Sequence, residues 1–160
     1  MTELQNIRLF VMDVDGTMTD GKIYVGSSGE ICKAFDVKDG YGLIRCAEYG
    51  IRTAIITGKS SQIVENRAKT LKIDEVFQGI KDKVTVLESI VKKYNYQWSE
   101  VAYIGDDEND LECMKKCGYS ACPYDAVKKV VETVDYLCTH KGGEGAVREV
   151  LDKIFEAKAK

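Results

Sequence analysis

The chain has 160 residues, 31% of them charged, and a formal net charge of −3. A chain of that length buries roughly 70% of the surface its unfolded form exposes, so a single domain over 1–160 needs no disulfide or metal as a staple. The near balance of charge argues against nucleic-acid and membrane-surface partners, no apolar run approaches membrane-spanning length, and "MTELQNIR" lacks the features of a signal peptide, so the expected location is cytoplasmic.

In chain order, "IRLFVMD" (7 to 13) reads as a buried strand that runs straight into Asp13 and, two residues on, Asp15. "GKIYVGSSGEICKAF" (21 to 35) alternates apolar residues on either side of a Gly-Ser-Ser-Gly turn, which predicts a β-hairpin flap inserted after the first strand. A helix is expected at 39 to 50, then the strand "IRTAIITG" (51 to 58), which carries Thr57 and Gly58 at its tip. A helix at 60 to 72, the strand "EVFQG" (75 to 79) and a helix at 81 to 95, opened by Lys83, follow. The strand "VAYIGDD" (101 to 107) delivers Asp106 and Asp107, with Asp110 close behind in a helix at 107 to 117. The strands "GYSAC" (118 to 122) and "VDYLC" (134 to 138) enclose a helix at 125 to 132, and a C-terminal tail from about 140 to 160 holds a last helix at 144 to 157. There are no repeats and no low-complexity linker.

Strands that alternate with helices imply right-handed crossovers and a parallel sheet covered on both faces, a three-layer, doubly wound, Rossmann-like α/β fold. Six cysteines in a reducing compartment read as small buried thiols. A zinc cluster from Cys113, Cys117, Cys122, Cys138 and His140 is the weaker alternative, because no Cys-x-x-Cys pair occurs.

Ligands of such folds bind beyond the carboxyl ends of the strands. Singly, an aspartate there is an ordinary turn former or helix cap. Here Asp13, Asp15, Asp106, Asp107 and Asp110 gather at two tips, Thr57 stands at a third, and Lys83 is within reach. Carboxylates crowded together repel, so a cation is implied, and an all-oxygen ligand set fits magnesium, which retains waters that a phosphate can replace. The lysine and the threonine complete a phosphoryl pocket.

"DVDGTMTDG" resembles the first motif of the haloacid-dehalogenase superfamily, "IITG" its second, Lys83 its third and "YIGDDEND" its fourth. "VKDGYG" (37 to 42) and "HKGGEGAVREV" (140 to 150) resemble the capless branch that acts on 3-deoxy-D-manno-octulosonate 8-phosphate and related nonulosonate 9-phosphates. The resemblance implies Asp13 as nucleophile, forming an aspartyl phosphate, and Asp15 as general acid and base. It implies magnesium on the Asp13 and Asp106 carboxylates and the Asp15 carbonyl, with Thr57 and Lys83 on phosphoryl oxygens and Asp107 and Asp110 in support.

By position, the same resemblance puts substrate contacts at Asp15, Lys38, Asp39, Gly40, Gly58, Lys59, Arg67 and Lys83, partly across subunits. Lys59 stands where octulosonate enzymes usually carry arginine. The branch forms homotetramers through its hairpins, and a neighbour's Gly-Gly-x-Gly tail approaches the active site. Two readings from another class are a phospho-receiver and a catalytically silent assembly module. A receiver has no use for a general acid two residues after its nucleophile, which makes Asp15 the discriminating residue.

Overall fold

In the computed structural model, which describes residues 3–160, the first apolar run forms β1 (Leu9–Met12) at the centre of the sheet, with every residue buried. Side chains alternate across a strand. Phe10 and Met12 therefore join Leu43, Ile55, Ala68 and Leu151 on one face, while Leu9 and Val11 join Ala54, Ile56, Leu87 and Ile90 on the other. Burial on both faces is why the run is continuously apolar.

The other expected strands form as β4 (Arg52–Ile56), β5 (Glu75–Phe77), β6 (Val101–Ile104), β7 (Tyr119–Cys122) and β8 (Tyr136–Leu137). They make one parallel sheet in the order β5-β4-β1-β6-β7-β8. The chain winds outward from β1 to β5, then crosses back to β6 and winds the other way. The switch point therefore lies between β1 and β6, where open α/β sheets bind ligands. β2 (Tyr24–Gly26) and β3 (Gly29–Cys32) pair antiparallel as a separate two-stranded sheet, the expected hairpin.

The helices are α1 (Val37–Arg45), α2 (Gln62–Leu71), α3 (Lys83–Lys93), α4 (Leu111–Lys116), α5 (Lys128–Val131) and α6 (Ala146–Lys158). Core side chains of α1, α2 and α6 pack in the Phe10 cluster, and those of α3, α4 and α5 in the Leu9 cluster, which gives the three layers. Helix boundaries shift from expectation throughout, most informatively in three places. α1 begins at Val37, before 39, because the Asp36 carboxylate accepts from the amides of Lys38 and Asp39 at 2.7 and 3.0 Å and so caps the helix. The helix expected at 107 to 117 opens with a 3₁₀ turn, Glu108–Asp110, behind Asp107 as its cap. α5 is a single turn.

Candidate active site

Asp13 directly follows β1, Thr57 directly follows β4, and Asp106 lies two residues beyond β6. Since β1 pairs with both β4 and β6, the three tips are neighbours. The backbone seals them: Asp13 N–H donates to the Ile104 carbonyl at 3.1 Å, and Thr57 N–H to the Phe77 carbonyl at 2.9 Å. A cavity of about 290 Å³ opens above, lined by Asp13, Asp15, Thr57, Gly58, Lys59, Asp106 and Asp107, together with Gly21 and Asn109.

Lys83 reaches the floor of this site from the first turn of α3. Its Nζ lies 3.0 Å from Oδ1 of Asp13 and 2.8 Å from Oδ1 of Asp110, with its side chain 2% exposed. Burial works against the ammonium, but the two carboxylates outweigh it and raise its pKa, so Lys83 carries its charge. Asp110 also accepts from Tyr103 Oη at 2.7 Å and, through Oδ2, from the amides of Asp106 and Asp107 at 3.2 and 3.4 Å.

Oxygens of Asp13, Asp106 and Asp110 come within 4.8 Å of one another, the one such group of three or more among the described residues. Donors occupy both oxygens of Asp110. Lys83 takes Oδ1 of Asp13, and Thr17 Oγ1 donates to Oδ1 of Asp106 at 2.9 Å, which leaves the second oxygen of each outside these two bonds. Burial and the Asp110 charge push the Asp13 carboxyl above the ordinary range, against the pull of Lys83. Burial and the Asp13 charge push Asp106 up as well, with Thr17 opposing. A lone ammonium therefore underneutralises this cluster, and a hard divalent cation between Asp13 and Asp106 fits the oxygen donors present. The loop between them is tight: Gly16 has φ +88°, and a Cβ there would collide with the Asp106 carboxylate.

Sequence reasoning missed three participants. Thr17 lies within the first motif with no role that spacing assigns it, yet it is buried and bonded to Asp106. Asn109 lines the cavity from the 3₁₀ turn. Lys33, on the hairpin, binds Oδ1 of Asp15 at 2.6 Å. The alternating pattern of a hairpin marks Lys33 only as one charged residue among exposed ones, so no local signal pointed to it.

The remaining expected contacts lie away from this cavity. Asp39 is 2% exposed and accepts from the Arg148 amide at 2.8 Å, at the start of α6. Within one chain it therefore braces a helix entry and does not face a substrate. Gly40 packs against Arg67, whose guanidinium lies over the Phe35 ring at 5.4 Å, and Lys38 borders a separate surface depression with His140 and Arg148. Asp107 caps its own turn by accepting from the Glu108 amide at 2.7 Å, and it has no bond to Lys83. The Gly-Gly pair of the tail is engaged inside its own chain: Gly143 N–H donates to the Thr17 carbonyl at 3.2 Å, and Gly142 presses on the backbone of Gly16 and Thr19. The six cysteines are free, but they are not all buried as expected: Cys32 is exposed on the hairpin and Cys117 is half-buried, while burial pushes the thiols of Cys46, Cys113 and Cys122 to about 12, 12 and 11, as inert core residues.

Comparison with known proteins finds relatives that cover nearly the whole chain. The family model for haloacid dehalogenase-like hydrolases matches residues 75–151. The 3-deoxy-D-manno-octulosonate 8-phosphate phosphatase of Salmonella typhi is 44% identical over 161 residues, covering 100% of this chain and 85% of that protein. The crystal structure of the same enzyme from Yersinia pestis superposes with a TM-score of 0.96 at 43% identity, covering 99% of this chain and 85% of the other. The Moraxella catarrhalis enzyme, solved with a magnesium ion, a phosphate ion and a KDO molecule, gives 0.94 at 43% identity and covers 98% and 90%.

Proposed function

The chain belongs to the haloacid dehalogenase-like hydrolases, and from that premise we propose that it is a magnesium-dependent phosphomonoesterase acting on 3-deoxy-D-manno-octulosonate 8-phosphate. The observation that carries the proposal is the meeting of Asp13, Asp15, Thr57 and Asp106 on one cavity with Lys83 beneath Asp13.

In this reading a carboxylate oxygen of Asp13 attacks phosphorus, the bond to the sugar oxygen breaks, and an aspartyl phosphate forms. Asp15 gives its proton to the departing alkoxide. It then takes a proton from the water that attacks the aspartyl phosphate, which returns Asp13 free and releases inorganic phosphate. Thr57 and Lys83 hold phosphoryl oxygens, while Asp110 holds Lys83. The Asp13 and Asp106 carboxylates and the Asp15 carbonyl would hold magnesium, which when bound offsets the charge that otherwise sets phosphate against carboxylate. Lys59, exposed and lining the cavity, would face the substrate's carboxylate.

Contacts at Lys38, Asp39, Gly40 and Arg67 belong to this reading only across subunits. The hairpin carries Ile23, Val25 and Ile31 at 51%, 68% and 65% exposure, an apolar surface suited to a tetramer hub. With Gly142 and Gly143 committed to their own chain, the exposed Lys141 and Glu144 on either side of them would face a neighbour. Sedimentation of a fully active monomer would remove the tetramer.

The function is tested by comparing kcat/KM in magnesium for the octulosonate 8-phosphate, a nonulosonate 9-phosphate and simple hexose phosphates. Preference for the first by tenfold or more is expected. Preference for the nonulosonate would transfer the assignment to that substrate, and stoichiometric labelling by acetyl phosphate without turnover would make the protein a receiver.

A further inference from the structure

One charged side chain of the hairpin turns inward. Lys33 follows β3, whose residues are all exposed, yet its own side chain is 3% exposed. Its Nζ donates to Oδ1 of Asp15 at 2.6 Å and pairs with Oε2 of Glu30 at 2.8 Å. Glu30 in turn accepts from Ser61 Oγ at 2.7 Å, at the residue that precedes α2. A chain of polar contacts thus runs from the entry of α2 through the hairpin to the carboxyl two residues past Asp13. Ordering a lysine costs side-chain entropy that an exposed ion pair does not recover, so burial of this one between two carboxylates is a specific arrangement.

We infer that Lys33 is a positioning residue for phosphoryl transfer: it fixes the Asp15 carboxyl through one oxygen, so that the other oxygen handles the transferred proton. The inference rests on the reading of Asp15 as general acid and base. An ammonium has three donors and no acceptor, so the oxygen facing it can only accept. When Asp15 is protonated, its hydrogen therefore sits on Oδ2. As the ester bond breaks, that proton passes from Oδ2 to the leaving alkoxide and departs with the alcohol, and in the second step a proton from the attacking water takes its place on Oδ2. The bond to Lys33 persists through both steps. Lys33 does not line the cavity, which fits action through Asp15 rather than on substrate. Glu30 balances the ammonium's charge and ties its position to α2.

Steady-state kinetics of Lys33→Met, which keeps the apolar stem and removes the donors, tests this on two esters. With an alkyl sugar phosphate kcat/KM, which reports only the steps up to departure of the leaving group and not the hydrolysis that both esters share, is expected to fall about 10- to 100-fold, within the usual reach of a proton-transfer group. With p-nitrophenyl phosphate, whose leaving group needs no proton, it should fall less than about threefold. Lys33→Arg, which restores a donor with a different reach, should fall midway on the alkyl ester and stay near wild type on p-nitrophenyl phosphate. It carries the same comparison if the methionine variant fails to fold. Equal losses on the two esters, or no loss on the alkyl ester, would overturn the inference. Asp15→Asn, measured alongside, separates the failures. If it does not discriminate the esters, the reading of Asp15 falls. If it does and the Lys33 variants do not, only the role of Lys33 falls.

Discussion

Lys83 and Asp110 form a wholly buried pair, with Nζ 2.8 Å from Oδ1 and side chains 2% and 0% exposed. Asp110 is thereby an anchor for the lysine, despite lying within cation-binding distance of Asp13 and Asp106. Removing Asp110 leaves the buried Lys83 with Asp13 alone and the buried Tyr103 hydroxyl without its acceptor, at a cost of about 3–5 kcal/mol. Asp110→Ala should lose that much stability in urea denaturation. It should also lose activity, because Lys83 would no longer be held beneath Asp13. Lys83→Met leaves Asp13 and Asp110 facing each other and removes a cation from the phosphoryl group, so kcat should fall about 100- to 1000-fold. An Asp110→Ala protein with wild-type kcat would show that Lys83 needs no such anchor.

Burial pushes both Asp13 and Asp106 toward neutrality, the Asp110 charge adding to it for Asp13 and the Asp13 charge for Asp106, so magnesium should bind the folded protein and stabilise it. At a hundred times its dissociation constant, a ligand specific to the folded state adds about 2.7 kcal/mol. Calorimetry should show a magnesium-dependent rise in Tm for the wild type, and little or none for Asp106→Asn. Asp13→Asn should fold, and its hydrolysis should be undetectable in single-turnover assays. Turnover by Asp13→Asn near the wild-type rate would remove Asp13 as nucleophile.

The strand tips were legible because an apolar run that breaks into carboxylates places them by topology alone. β1, β4 and β6 needed only their hydrophobic pattern to bring Asp13, Thr57 and Asp106 together. The start of α1 was not, since "VKDGYG" carries two glycines and reads as a weak helix, whereas the Asp36 cap supplies what propensity does not. Lys33 was invisible for a different reason. Its contact joins residues 18 apart across a hairpin whose orientation against the sheet no periodicity encodes. Lys38, Asp39 and Arg67 followed family position, and position alone does not say which chain's cavity a side chain serves.

Gly142 offers a test of how the tail supports the catalytic loop. A Cβ there would overlap the Gly16 carbonyl oxygen and lie 2.8 Å from that of Thr19, and backbone on both sides cannot yield as a side-chain end would. Gly142→Ala should cost about 1–3 kcal/mol, as overpacking does. It should also lower kcat, since the strain falls on the loop that follows Asp13 and Asp15. Ile154→Val is the control: a buried truncation in α6, costing about 0.5–1.5 kcal/mol, with kcat unchanged. If Gly142→Ala loses only stability, the tail is a structural brace without influence on the site.

Glu149 and Asp39 should tilt the pH dependence of stability in opposite directions. Glu149 accepts from Tyr136 Oη at 2.7 Å, from the amides of Thr139 and His140 at 2.8 and 3.0 Å, and faces His140 Nδ1 at 2.6 Å. Burial opposes its charge, but these donors outweigh burial and lower its pKa from 4.5 to about 2. A depressed carboxyl contributes stability that is complete above about pH 4.5 and is lost as pH falls toward 2. Asp39 is the reverse: burial raises it from 3.8 to about 6, so the folded state holds that proton more tightly and stability declines as pH climbs across this interval. Urea midpoints measured from pH 2.5 to 8 should therefore show Glu149→Gln with a flatter acid limb, and about 1–3 kcal/mol weaker at pH 7. Asp39→Asn should lack the decline between about pH 4 and 6. An acid limb as steep in Glu149→Gln as in the wild type would show that other carboxylates govern acid unfolding, and that the hydrogen bonds converging on Glu149 hold the 139–140 loop without favouring its charge.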